Sequence, residues 1–299
     1  MKLRRVFDDQ VDETLAEELR NAALSADCPL PLSPARAVDE LLRFAAAHNL
    51  ADRPVRGKVN HSLRVCALAY ELARGQSEVD ASEAFLAGLT HDIGRFPQWA
   101  MFGNFIDAQT CDHGELSAEL LGTFGYLGRY LGASQERNTM APEYAGRPAR
   151  VEDLPAPARE ACTRVVSAIR VHNGLSLPKG LDARTRSLAV LLRDADKCDI
   201  LHLFAAREAA MATEEVEGTV SAEILDAIAE KRTADRTKIS TPADRALMKA
   251  CIAFGLTLLA ARAYVREGSF VEQYLSSIGF RDGHAQEVAD AMAVAWRSA

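Results

Sequence analysis

The stretch Leu86–His113, LAGLTHDIGRFPQWAMFGNFIDAQTCDH, constrains this chain more than any other, because it sets His91 beside Asp92 in a segment otherwise apolar or small. On a helix over Ala81–Asp92, Phe85, Leu89 and Asp92 fall on one line, and Ala84, Gly88 and His91 nearly share another. A carboxylate on an apolar line is costly to bury unless a cation or hydrogen-bond donors accompany it. The helix must therefore bring its polar end to partners from elsewhere. Ala84, Ala87 and Gly88 are small enough to let a neighbouring helix come close.

The partners are visible in order along the chain. His61 lies upstream; His113, His172 and Asp196 lie downstream. Histidine binds metal as neutral imidazole and aspartate as carboxylate, so the set His…His-Asp…His…His…Asp can hold one or two divalent ions. His61 shares a helical stripe with Val65, Leu68 and Leu72, which leaves Arg64, Glu71 and Arg74 to face water. Val165, Ile169 and His172 share a side of Ala158–His172. Leu188, Leu192, Asp196, Asp199 and Leu203 share a stripe of Leu181–Phe204. Plainer readings stand beside these: a buried, hydrogen-bonded His61, and a salt-bridge cluster of Asp196 and Asp199 with Arg193 and Lys197. His48, His202 and His284 match no pattern and are expected in packing or at the surface.

The remainder reads as helix. The chain is 48% hydrophobic with 6% aromatics, rich in Ala, Leu, Arg and Glu and poor in alternating β-branched runs, which points to an all-α fold. Helices are expected over 11–25, from Pro34 (capped by Ser33) to His48, and from His113 to Leu121. Further ones are expected over 221–231, 242–266, 269–277 and 284–297. Asp52–Gly57 is expected as a turn, Pro97 as a helix stop and Met101–Asp112 as a loop. The proline-containing stretch 133–156 is a lid candidate or a solvated insertion. The expected organisation is an N-terminal helical segment (1–36), a metal-binding core (37–206) and C-terminal helices (207–299). Those last helices would pack on the core or form a homo-oligomer interface.

A net charge of -7 argues against nucleic acid as the main partner. The apolar run Ala250–Ala261 is too short to span a bilayer. No apolar run follows MKLRR, and no Cys-x-x-Cys pair occurs, so a reducing cytoplasm is the expected setting.

Asp92, with two oxygens, is the natural bridge between two ions. Such pairs, about 3.5–4 Å apart, clamp the attacking and leaving oxygens of a displacement at phosphorus and generate a hydroxide nucleophile. Arg95 and Lys197, beside the ligands, can offer charge to a phosphate oxygen. Asp112 and Asp199 are the expected acceptors for the second N–H of ligand histidines.

These residues resemble the HD-domain metal-dependent phosphohydrolases. The resemblance is carried by NHSLRV (His61), LTHDIGRF (His91, Asp92) and RDADKCDIL (Asp196). DHGELSAELL (His113) and IRVHNG (His172) are similar to the variant with a second metal. It covers roughly Ala37–Phe204. It implies an all-α HD core with additional C-terminal helices and a divalent metal (Mn, Fe, Mg, Ni or Zn). The implied reaction is hydrolysis of a small phosphorylated substrate, such as a nucleotide, with Asp92, Arg95 and Lys197 in the catalytic machinery. His61, His91, Asp92 and Asp196 would hold one ion, and Asp92, His113 and His172 the other. The cyclic-dinucleotide branch is not implied, because no GYP stretch occurs and Asn173 follows His172. HD-fold di-iron oxygenases share the ligand order, and a metal-binding regulatory module is a third reading.

Overall fold

Short polar residues set where the helices begin. The structure, a computed structural model, describes residues 9–24, 30–131, 150–210 and 215–299. These are helical apart from turns, one isolated bridge and a two-residue parallel strand pair. Residues 133–149 of the expected lid lie outside the described residues. The described chain divides into two compact units, one ending at Ala195 and the other beginning at Asp196. The junction falls inside one long helix, whereas the sequence reading draws the end of the core at 206.

In the first unit, Asp12 caps α1 (Glu13–Arg20) by accepting from Leu15 N at 3.0 Å. Ser33 caps α2 (Pro34–Ala46), with Pro34 in the first turn, where a missing N–H costs nothing. α3 (Arg53–Arg74) follows, then α4 (Ala81–Thr90), capped by Asp80, and α5 (Arg95–Phe102). Asp112 caps α6 (His113–Leu121), whose limits match the expectation; α7 (Leu127–Tyr130) and α8 (Ala156–Arg170) come next. α9 (Ala183–Ala210) carries the chain through the junction.

α3 is the spine of this unit, packed against α1, α2, α4 and α5. Enclosure on so many sides overturns one expectation: Arg64 is buried, not facing water. Apolar periodicity marks the most hydrophobic face of a helix; it does not say how many neighbours surround the others. Two expected breaks also move. Asp52–Gly57 is not a turn, because α3 starts at Arg53 with Pro54 in its first turn. Pro97 does not end a helix but sits in the first turn of α5, where backbone N–H groups have no partner to lose. α3 and α4 come close together at Gly88. A Cβ there would lie 2.8 Å from Cys66 Cα and 2.9 Å from the Val65 carbonyl oxygen.

The second unit holds β1 (Glu215–Val216), α10 (Ala222–Ala229), α11 (Pro242–Cys251), α12 (Leu259–Glu267) and α13 (Phe270–Ser276). β2 (Gly279–Phe280), which pairs with β1, and α14 (Gly283–Arg297) complete it. The helix expected over 242–266 is broken: a 3-10 turn at Ile252–Gly255 separates α11 from α12. Asp244 is fully buried and binds α11 to its surroundings, accepting from the backbone N–H groups of Ser221, Ser240 and Thr241 at 2.8–3.3 Å. Burial opposes its ionisation, but these donors outweigh burial and hold its carboxyl below the ordinary value. Trp296, Tyr274 and Met292 fill the core nearby.

Two stability measurements follow. Gly88→Ala should destabilise the chain by about 1–3 kcal/mol in urea unfolding, the usual cost of overpacking, although alanine is the better helix former. Asp244→Asn should lower stability at neutral pH. Because the folded carboxyl titrates below the unfolded one, wild type keeps its advantage above about pH 4 and loses it as pH falls through the folded value. A difference between the two proteins that persists undiminished at about pH 2 would contradict this.

Candidate metal centre

Turn and helix-end positions build the centre. α3 presents His61. His91 and Asp92 follow α4 directly, in the turn that leads to α5. His113 is the first residue of α6, and His172 lies just beyond α8. Gly94 lets the start of α6 abut this turn. A Cβ on it would meet the His113 carbonyl and Ser117 N and Oγ, each at 2.9 Å, and its own N–H donates to Ser117 Oγ at 2.9 Å.

All four histidines and Asp92 are buried, and they converge. The two Asp92 oxygens face different pairs. Oδ2 stands 3.5 Å from His61 Nε2 and 3.7 Å from His91 Nε2. Oδ1 stands 3.4 Å from His113 Nε2 and 3.8 Å from His172 Nε2. Within each pair the Nε2 atoms are 3.2 Å apart.

Hydrogen bonds fix which nitrogen carries the proton. His172 Nδ1 donates to the Ile169 carbonyl at 2.7 Å and His91 Nδ1 to the Gly88 carbonyl at 2.9 Å. His113 Nδ1 donates to Asp107 Oδ2 at 2.6 Å. Burial is the main reason that the His113 ring titrates below its ordinary value, which keeps it neutral. In neutral rings so arranged, Nε2 is an acceptor. Burial works against an ionised Asp92, but neighbouring positive charge, above all that of Lys58, outweighs it and holds the carboxyl well below the usual range.

Three acceptors thus converge at His113 Nε2, His172 Nε2 and Asp92 Oδ1. The last is buried without a hydrogen-bond partner among the described residues. Atoms sharing one ion at roughly 2.1 Å stand about 3.0–3.4 Å apart, close to the separations seen here. The donor set therefore fits divalent metal.

Arg95 lies against Asp92 and His113. Its Nη1 donates to Gln98 Oε1, the Phe105 carbonyl and Asp107 Oδ1 at 2.7–2.8 Å. Its Nε is 3.7 Å from Asp92 Oδ1 and has no hydrogen-bond partner among the described residues. The other expected cation, Lys197, donates to the Gly255 carbonyl within the second unit. Asp196 opens that unit on α9, directly after Ala195 in an unbroken helix.

One expected imidazole partner, Asp112, is corrected. Asp112 caps α6, accepting from Gly114 N and Glu115 N, and takes Asn173 Nδ2 at 2.8 Å. The second nitrogens of His91, His113 and His172 go to two carbonyls and Asp107, not to Asp112. Asp107 lies in a short loop with no periodicity, so nothing in the sequence announced it. Its carboxyl also accepts from Gln98 Nε2 at 3.2 Å and Asn173 Nδ2 at 3.4 Å.

Lys58 was missed as well, although a signal existed: it precedes His61 by one turn of the same helix. Its Nζ donates to Asp92 Oδ2 at 2.7 Å. The remaining histidines have other contacts. His48 donates to the Phe44 carbonyl, His202 stacks on Phe270 and His284 is exposed.

No helix among the described residues is long and apolar enough to cross a membrane. No curated protein and no solved structure matches this chain. One family does, the HD domain, over residues 59–202. That stretch contains every histidine and aspartate of the converging cluster, and the cluster fits a metal-binding site of the family. Through residues 59–202, this chain carries an HD domain.

Proposed function

We propose that this chain is a metal-dependent phosphohydrolase acting on a small phosphate ester, with two divalent ions bridged by Asp92. The observation that supports it most is the division of the Asp92 oxygens between two imidazole pairs. Asp196, the last residue of the ordered His and Asp set in the sequence, is kept as the proposed sixth ligand. Four imidazoles and two carboxylates suit Mn, Fe, Ni or Zn better than Mg.

Divalent metal, when bound, supplies positive charge to a phosphoryl group and acidifies a water molecule. The chain's residues do the rest. The Gly88 and Ile169 carbonyls and Asp107 fix three imidazoles in one tautomer, so each Nε2 lone pair points inward. Burial of Asp92 and the histidines keeps bulk water from screening the charges gathered there. The Arg95 Nε–H, lacking an acceptor among the described residues, is placed to donate to a phosphate oxygen. Arg95 and Lys58 are the cations assigned to the substrate. Lys197 is left out, since its ammonium serves the Gly255 carbonyl.

Asp92→Ala should abolish turnover and strip both ions, read by elemental analysis of the folded variant. Retention of both ions would remove the bridge. Asp107→Asn should weaken metal binding about 10–100-fold without unfolding the chain, the range seen when a ligand loses its orienting partner. Unchanged affinity would make Asp107 a loop anchor only.

The reaction is tested by reconstituting the metal-free protein with Mn or other divalent ions without oxygen and screening phosphate esters for released phosphate. Release under those conditions is expected. Turnover only with iron and dioxygen, consuming oxygen in proportion to substrate, would replace the hydrolase with an HD-fold oxygenase.

A further inference from the structure

Among the described residues, Lys58 is the one ammonium in direct contact with Asp92. It leaves α3 one turn before His61, so both side chains reach the same centre. Its Nζ lies 2.7 Å from Asp92 Oδ2, the oxygen that faces His61 and His91. The side chain is 22% exposed against 3% for Asp92, so its path opens outward. The Phe105 ring lies 5.5 Å from the ammonium. A divalent ion shared by Asp92 Oδ2, His61 and His91 would stand within a few ångströms of this resident cation. Like charges that close, in a buried and weakly screening site, repel strongly. Lysine has a flexible four-carbon stem and can swing away; a backbone group could not.

We propose that Lys58 is a positioning residue that holds Asp92 until metal loads, then passes its ammonium to an anionic oxygen of the substrate. The substrate half rests on the phosphohydrolase reading; the metal half does not. The ordinary alternative is a fixed ion pair that only neutralises a buried carboxylate. The two differ in sign. A fixed pair supports the site, so losing Lys58 leaves Asp92 uncompensated and metal binding no better. A cation that must be displaced opposes loading, so losing it tightens metal binding.

The test is Mn²⁺ titration of metal-free protein by calorimetry, followed by titration of the Mn-loaded protein with inorganic phosphate. It compares wild type, Lys58→Met and Lys58→Arg. Lys58→Met should bind Mn²⁺ about tenfold tighter and inorganic phosphate about tenfold more weakly, effects of the size expected when one neighbour of a metal site is lost. Lys58→Arg keeps the charge and should stay near wild type in both. If Lys58→Met does not fold, Lys58→Gln, which keeps a polar tip, is read against the same expectations. Metal affinity that is unchanged or weaker without the charge would overturn the proposal. So would equal behaviour of the Arg and Met variants, because the charge would then be irrelevant. Tighter metal with unaltered phosphate binding would overturn the hand-over. Expected shifts in both titrations, in a protein that hydrolyses no phosphate ester, would keep the metal half of the proposal and remove the phosphohydrolase reading together with the hand-over to a substrate.

Discussion

One buried carboxylate organises the first unit. Asp92 has an imidazole pair on each side, and no arrangement of a single neutral donor satisfies both. Its burial is tolerable because the Lys58 ammonium and the Arg95 guanidinium stand beside it. Everything that places those groups is a consequence of close packing. Gly88 brings α4 onto α3 so that His91 meets His61. Gly94 brings the start of α6 onto the following turn so that His113 meets Asp92. Bulk at either glycine would separate ligands that come from different helices.

The orientation of the ligands is backbone chemistry to a large extent. His91 and His172 each donate to the carbonyl three residues earlier, at Gly88 and Ile169. Such bonds need no partner from a distant segment, so these rings are oriented by the helix ends that carry them. His113 differs. Its Nδ1 depends on Asp107, which is itself tied to Arg95, Gln98 and Asn173. The loop after α5 is thereby joined to the metal centre through one carboxylate.

The ligands within the first unit were legible because their signal is ordered along the chain: a polar pair closing an apolar line at His91–Asp92, and histidines on apolar stripes. The all-α fold followed from composition and period. What failed has physical reasons. Asp52–Gly57 reads as a turn and Pro97 as a helix stop, yet Pro54 and Pro97 both sit in first turns, where proline is harmless. Arg64 was given to water because a stripe describes one face, while α3 is enclosed on several. Asp107 was invisible because loop pairings depend on tertiary placement alone. Lys58 is readable from its spacing to His61, but a lysine on a helix is so often solvated that the spacing alone does not single it out.

The central claim is that Asp92 is shared between two ions. Anomalous diffraction from crystals of the Mn-loaded protein tests it most directly. The account predicts two anomalous peaks about 3.5–4 Å apart, one beside each Asp92 oxygen, the first near His61 and His91 and the second near His113 and His172. A single peak at saturating metal, with His113 and His172 bound to nothing but protein, would contradict it.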